Sequence, residues 1–350
     1  MRLLVLGGTG FLGYHAVTAA LRGGHEVSIF TRSGSSPSPE AEMLHGDRYG
    51  DLSALRGREW DAVLDTFSDP DAVSDTARLF SGSAGAYGFV SGITNYHPDG
   101  PLVVDEDSPL RVPGEASPGD PLQERGLAKL GCERAVLEGF SGSTFIVRPG
   151  IMVGPRDPTD RFSWWPARLY RALARGEEEV LAPGDPDRPV QFTDARDLAL
   201  WMVGKLHELV SSAPGSARAG DGVYNAVGPG RREALSSVLD ACLQAAREIS
   251  GPAGGSHAPS LLWAAEDFLE ERLSDIPEEQ RPLWFPEPQI PFETVDSSRA
   301  LQDGLSFRPA LETARDTLHW LGGRSTDQLL AGLSPKRELE LIQHHRERRP

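Results

Sequence analysis

Short apolar runs alternate with stretches of helical spacing through the first half of the chain. Residues 3–6 are such a run, ended by Gly7, and predict a buried parallel strand. Phe11, Leu12, Ala16, Val17, Ala20 and Leu21 fall close to helical spacing, which predicts a helix over 10–22 stopped by Gly23-Gly24. The same reading predicts strands at 26–30, 42–45, 61–65, 87–91 and 144–147, with helices at 71–80 and 123–138. Residues 99–121, rich in proline, glycine and acids, read as a long loop.

Strands alternating with helices in this way imply an α/β chain built on a Rossmann-type doubly wound parallel sheet, with a smaller C-terminal substrate lobe. The pattern loosens after Asp157. Phe162, Trp164, Trp165, Leu169 and Tyr170 suggest a helix with an aromatic face. A strand at 190–193, a helix at 195–209 and a strand at 223–227 read as a return to the sheet. Helices follow at 232–249, 261–273, 310–321 and 335–345, and 282–291 reads as irregular. The expected division is a dinucleotide-binding domain over 1–155 with 189–228 returning to it. Residues 156–188 and 229–350 form the lobe and C-terminal helices.

Composition narrows the partners. The chain has 350 residues, 39% of them hydrophobic, and a formal net charge of −16. So acidic a protein is a poor fit to nucleic acid, which is gripped by clustered Lys and Arg. No apolar run approaches the length of a membrane span, and the N-terminal run is too short for a signal peptide. Its two cysteines, Cys132 and Cys242, lie far apart, so neither a disulfide framework nor a metal site is expected, and a reducing cytoplasm fits.

The candidate chemistry begins at Gly7-Gly8-Thr9-Gly10-Phe11-Leu12-Gly13, a G-x-x-G-x-x-G turn between a predicted strand and helix. Glycine lets the backbone turn tightly and approach a diphosphate, and the helix that follows points free amides at the anion. The second strand ends Phe30-Thr31-Arg32-Ser33, with no acid to bind a ribose 2′-hydroxyl. Arg32, with Thr31 and Ser33, suits a 2′-phosphate, so NADP is expected in preference to NAD.

Several further segments complete a resemblance: His45-Gly46-Asp47-Arg48, Val90 to Tyr96, Arg125-Gly126-Leu127-Ala128-Lys129, Arg148 to Pro155 and Pro189 to Ala199. Together with the glycine turn they resemble the extended short-chain dehydrogenase/reductases of the NAD-dependent epimerase/dehydratase family, over at least two-thirds of the chain. The resemblance implies that Asp47 and Arg48 lie by the adenine and that Thr66, Phe67 and Ser68 line the ribose. It places Ser91 and Lys129 at the cofactor, and Pro149, Gly150, Ile151 and Val153 by the nicotinamide. Gly46-Asp47-Arg48 and Phe30-Thr31-Arg32 also resemble an RNA-binding subgroup, whose function the charge argues against.

The catalytic positions depart from the family pattern. The family's proton-handling Tyr, four residues before the Lys, is Arg125 here, and its Ser is Gly92. A guanidinium stays protonated near neutral pH; it can stabilise an oxyanion or clamp a carboxylate but not act as a base. Candidate groups at the centre are therefore Lys129, Arg125, Thr94, Tyr96 and His97, the last two offering a phenol and an imidazole. Aromatic faces and cations at Arg161, Trp164, Trp165, Arg168 and Gln191 suggest a pocket for a small cyclic or aromatic substrate. The expected function is an NADP-binding reductase- or epimerase-like enzyme of secondary metabolism, or a non-redox cyclase or isomerase. The alternative is a degenerate nucleotide-binding sensor or scaffold. A homodimer is the expected protein partner.

Overall fold

The structure, a computed structural model, describes all residues except 33, 35, 115–118, 212–221, 230–232, 252–257, 278–279, 284–293 and 349–350. It divides into two compact units. The first comprises residues 1–151, 195–230 and 294–307; the second, 152–194, 231–293 and 308–350.

The first unit is organised by β1 (Arg2–Leu6), β2 (Glu26–Thr31), β3 (Glu42–His45), β4 (Trp60–Asp65), β5 (Ala84–Val90) and β6 (Ser143–Pro149). With the strand Gly222–Ala226 they form a seven-stranded sheet in the order 222–226, β6, β5, β4, β1, β2, β3. Every pairing in it is parallel. Such strands are covered on both faces, which is why β1, β4 and β5 read as continuous apolar runs rather than alternating ones. Helices α1 (Phe11–Arg22), α2 (Pro70–Phe80) and α3 (Pro121–Gly139) supply crossovers. The side chains of Asp69 and Asp120 cap α2 and α3, each followed by a proline at the first helical position. By contrast, α1 opens on Gly10 with no side-chain cap, so no side chain claims its first amides.

Sequence direction reverses between β1 and β4, where an open parallel sheet leaves a crevice at its carboxyl edge. Thr66, just past β4, locks the two ends together: its amide and hydroxyl both donate to Leu6 O, at 3.2 and 3.1 Å.

The second unit packs the helices Trp164–Arg175, Leu235–Ser250 and Ala310–Leu321 against one another, beside a parallel strand pair, Glu179–Pro183 and Ser260–Ala264. That pair corrects the helix expected over 261–273. Leu261-Leu262-Trp263 is too short an apolar run to tell strand from helix by periodicity, and pairing with Glu179–Pro183 decides for strand. The helix begins only at Glu266 and ends at Arg272. The strand expected at 190–193 is two short bridges instead. Pro189–Val190 pairs with Glu233–Ala234, and Thr193–Asp194 with Met152–Val153, all within this unit. Residues 294–307, expected in the lobe, belong to the first unit.

Candidate nucleotide and active site

The glycine turn runs from the end of β1 into α1. Gly7 has φ +95°, and a Cβ there would stand 2.3 Å from Thr66 Oγ1. A Cβ on Gly13 would meet Gly7 O at 2.2 Å. Both positions therefore demand glycine, so that helix, turn and neighbouring strand can approach this closely. Thr9 and Gly10 are exposed at the mouth of the turn, Gly8, Leu12 and Gly13 are buried, and Phe11 sits edge-on to His15.

At the end of β2, Thr31 is half-buried and Arg32 exposed, with no ion pair among the described residues; Ser33 lies outside them. Asp47 closes a turn, pairing with Asp51 through the backbone and accepting from Tyr49 N at 3.0 Å. Arg48 departs from the adenine role. Its guanidinium forks onto the fully buried Asp65 at 3.0 and 2.9 Å and donates to Ala72 O and Thr76 Oγ1 at 3.1 and 2.9 Å. Burial works to raise the Asp65 pKa, but Arg48, the Tyr87 hydroxyl at 2.6 Å and the Phe67 amide outweigh it and hold the carboxyl below its ordinary range. An arginine so placed is spent on the interior. Phe67 is half-buried beneath its cationic face, at 4.8 Å, and Ser68 is exposed.

Lys129 reaches from α3 to the carboxyl edge of the sheet. Its Nζ donates to Val90 O at 2.6 Å and Phe67 O at 2.8 Å, with Thr66 O at 3.4 Å. No carboxylate bonds to it directly, and burial pushes its pKa down to about 8. One helical turn earlier, Arg125 is exposed, with no ion pair among the described residues. Between the two, Gly126 brings α3 onto the turn after β5, where a Cβ would lie 2.2 Å from Thr94 O.

Tyr96 is not an exposed phenol. It is 3% exposed, and its hydroxyl donates to Asn225 Oδ1 at 2.7 Å and accepts from Arg148 Nη1 at 3.0 Å. Burial raises its pKa despite the neighbouring arginine. Arg148 is held by a buried fork onto Glu133, at 2.9 and 2.6 Å. Asn95 donates to both Glu133 and Ser91 Oγ, at 2.7 and 2.8 Å, so the Ser91 hydroxyl also faces this interior network. The sequence offered a tyrosine beside a strand end; the deciding partners, Arg148 and Asn225, are far away in the chain. His97 turns back locally, its Nδ1 accepting from Asp99 N at 3.1 Å. Thr94 remains half-buried beside Gly92. Pro149 is buried at the end of β6, and Gly150 and Ile151 are half-buried just after it.

In the second unit, Val153 belongs to the short bridge with Thr193–Asp194. Trp164 and Trp165 are each 1% exposed and meet edge-to-face at 4.8 Å; Trp165 Nε1 donates to Pro282 O. Arg168 is buried between Glu338 and Glu177, at 2.6 and 2.7 Å. These three are therefore buried in the lobe, where Trp164 and Trp165 help line a cavity with Leu269, Ile276 and Pro282. Arg161 donates to Arg281 O at 3.0 Å, and Gln191 is half-buried. A group the sequence reading passed over is Asp157. It is 2% exposed, has one carboxylate oxygen without a hydrogen-bond partner, and is pushed up to about 6 by burial.

Comparison with known proteins follows the same division. Residues 3–101 match the model of the NAD dependent epimerase/dehydratase family. The matched segment spans the glycine turn, the first five strands and the turn carrying Gly92 and Thr94. A 3-diazoavenalumate denitrifying reductase from Streptomyces sp is 32% identical over 179 residues, which is 44% of this chain and 57% of that protein's length. Among solved structures, the UDP-N-acetylglucosamine 4-epimerase from Bacillus cereus superposes with a TM-score of 0.63 at 17% identity, covering 95% of this chain and all of that one. MoeE5, solved with UDP-glucose and NAD, gives 0.57 at 21% identity over 92% and 99% of the two chains. The likeness to these structures is one of fold. Among the described residues no helix is long and apolar enough to cross a membrane, and no cluster of His, Cys, Asp and Glu could hold a metal ion.

Proposed function

We propose that this protein is a nicotinamide-dependent reductase acting on a small aromatic molecule in secondary metabolism, and that its reaction needs no proton from a tyrosine. The observation that carries this reading is the split at the centre. Lys129 is lodged at the sheet edge and Arg125, one helical turn before it, is exposed; by the resemblance these stand at the positions of the family's lysine and proton donor. The phenol of Tyr96, just past the same strand end, is consumed by Arg148 and Asn225.

The residues present fit the cofactor. The crowding at Gly7 and Gly13 leaves the turn bare of side chains, and α1 has no side-chain cap to compete for its amides. Arg32, exposed and unpaired at the end of β2, supports NADP over NAD by offering a fork to a 2′-phosphate. Both solved relatives named as NAD complexes or epimerases share the fold alone, so they do not set the preference here.

When bound, the reduced nicotinamide supplies a hydride, and an electrophile that already carries positive charge accepts it without a proton. An aryl diazonium is such an electrophile: with hydride it gives the arene and dinitrogen, with charge and atoms balanced. The partial match to a denitrifying reductase supports this class. In the chain, Lys129 sets a positive charge at the carboxyl edge of the sheet, its ammonium bonded to backbone carbonyls, and Gly92 carries no side chain where the resemblance implies a serine.

Fluorescence titration with NADPH and NADH, followed by NADPH oxidation against aryl diazonium salts and matched aryl ketones, tests the reading. Tighter NADPH binding and oxidation with diazonium only is the expected result. Turnover of the ketones, or tighter NADH binding, refutes it. The absence of any proton-handling side chain at Arg125 also favours a second reading, a nucleotide-binding sensor; NADPH binding with no oxidation by any acceptor is its outcome.

A further inference from the structure

We infer that the site selects an anionic substrate, an aryl carboxylate, through two guanidiniums, Arg111, bonded to the turn that carries Thr94, and Arg125 on α3. The inference rests on the reductase reading for the place of the substrate and adds its charge class.

Arg111 was not singled out by the sequence. It lies in the long loop after β5, and its Nε donates to Thr94 O at 2.6 Å while its own amide donates to Asn95 O at 2.8 Å. Those two bonds pin the residue to the turn and leave both terminal nitrogens of the guanidinium without a partner among the described residues. The nearest acid to act on it, Asp120, is already used as the cap of α3, accepting from Leu122 N and Gln123 N. Burial of the half-exposed Arg111 works against its charge, so an incoming anion relieves an existing cost.

Arg125 is the chain neighbour of the α3 residue that Arg111 crosses. A Cβ on its neighbour Gly126 would lie 3.0 Å from Arg111 Cδ and Nε, so the Arg111 side chain crosses α3 within one residue of Arg125. Arg125 is four residues before Lys129, hence on the same helix face, and its charge is felt at Lys129. Among the described residues no salt bridge joins a carboxylate to any of these three cations; Asp120 acts on Arg111, and Asp65 and Glu133 on Lys129, from further off. The usual structural use of arginine, an ion pair, is seen in this unit at Arg48 and Arg148 but not here.

Gly92 makes room beside them. Its backbone is extended at φ −176°, open to any residue. A Cβ there would meet only Thr94 Oγ1 at 3.5 Å and Pro149 O at 3.9 Å, ordinary contacts. Neither backbone nor packing requires the glycine, so its side of the turn carries no side chain. A planar carboxylate matches the paired N–H edge of a guanidinium.

The test is calorimetric binding of cinnamate and cinnamamide to the full chain with and without NADP, in the parent and in Arg125→Gln and Arg111→Gln. Arg125 is exposed, so R125Q keeps the fold; circular dichroism checks R111Q, and Arg111→Lys, which retains the charge, stands beside it. The expected result is a preference for the acid of about tenfold or more, reduced about tenfold by R125Q and R111Q and kept in part by R111K. Equal binding of acid and amide, no binding of cinnamate at millimolar concentration, or a preference untouched by R125Q overturns the inference. Diazonium turnover and the acid preference are separate readouts, so failure of one leaves the other standing.

Discussion

Replacing Arg48 by methionine isolates the buried Asp65 carboxylate without greatly changing the volume filled. In the parent, Asp65 has 0% exposure and receives two bonds from Arg48, one from Tyr87 and one from the Phe67 amide. The variant keeps the last two and loses the charge. The carboxylate then either stays ionised in a dry interior or takes up a proton. Protonating an ordinary aspartate at pH 7 costs about 4 kcal/mol, which caps the penalty, since the group escapes by that route. Lost bonds to Ala72 O and Thr76 Oγ1 add little, because these two remain bonded to each other. The expected loss is about 3–5 kcal/mol at pH 7. The pH dependence follows from the depressed pKa of Asp65 in the folded parent. Its stabilisation is present above the unfolded pKa of about 3.9 and is lost as pH falls through the lower folded value. In Arg48→Met the same carboxyl, buried without its cation, takes up its proton well above the unfolded value, so the variant's penalty falls as pH drops towards about 4 and the gap to the parent should shrink to about 1 kcal/mol there. Urea unfolding at pH 7 and pH 4.5, with amide exchange on β4 and β5 to localise the change, measures this. A loss below about 1 kcal/mol at pH 7, or one equal at both pH values, refutes the reasoning.

Three further outcomes follow. Gly13→Ala places a methyl 2.2 Å from Gly7 O and should abolish NADPH binding by fluorescence titration. Tyr96→Phe removes the bonds to Asn225 and Arg148 and should cost about 1–2 kcal/mol in urea unfolding while leaving turnover unchanged; lost turnover at parental stability would restore Tyr96 as a catalytic group. Lys129 has a folded pKa of about 8, below its unfolded value, so the unfolded chain holds more protons from there to about 10.5 and parental stability should rise with pH across that window. Lys129→Met should lack that slope in unfolding curves taken from pH 8 to 10.

The sheet was legible because its signals are local. Leu3 to Leu6, the glycine turn and the helix behind it are contiguous, and β3 and the helix Ala310–Leu321 fall where hydrophobic spacing puts them. The strand Ser260–Ala264 was not legible, because its identity comes from pairing with Glu179–Pro183, some eighty residues earlier. The same holds at the site. Arg48, Tyr96 and Arg168 are chemically able residues whose roles are set by Asp65, Arg148 with Asn225, and Glu338. No spacing rule announces those partners. Arg111 escaped notice for the opposite reason: it sits in a proline-rich loop with no pattern around it, and only its bond to Thr94 O gives it a place.

The hydroxyl of Tyr96 is satisfied by a residue 129 positions further on. Between them the chain leaves the first unit at residue 151 and comes back at 195. During synthesis, then, Tyr96 and Arg148 wait on the ribosome for Asn225, which in turn rests on the carbonyl of Asp296. A nascent chain stopped at residue 151 has six of the seven sheet strands and an open polar seam along β6. Completion of the first unit is thereby postponed until most of the other unit has emerged.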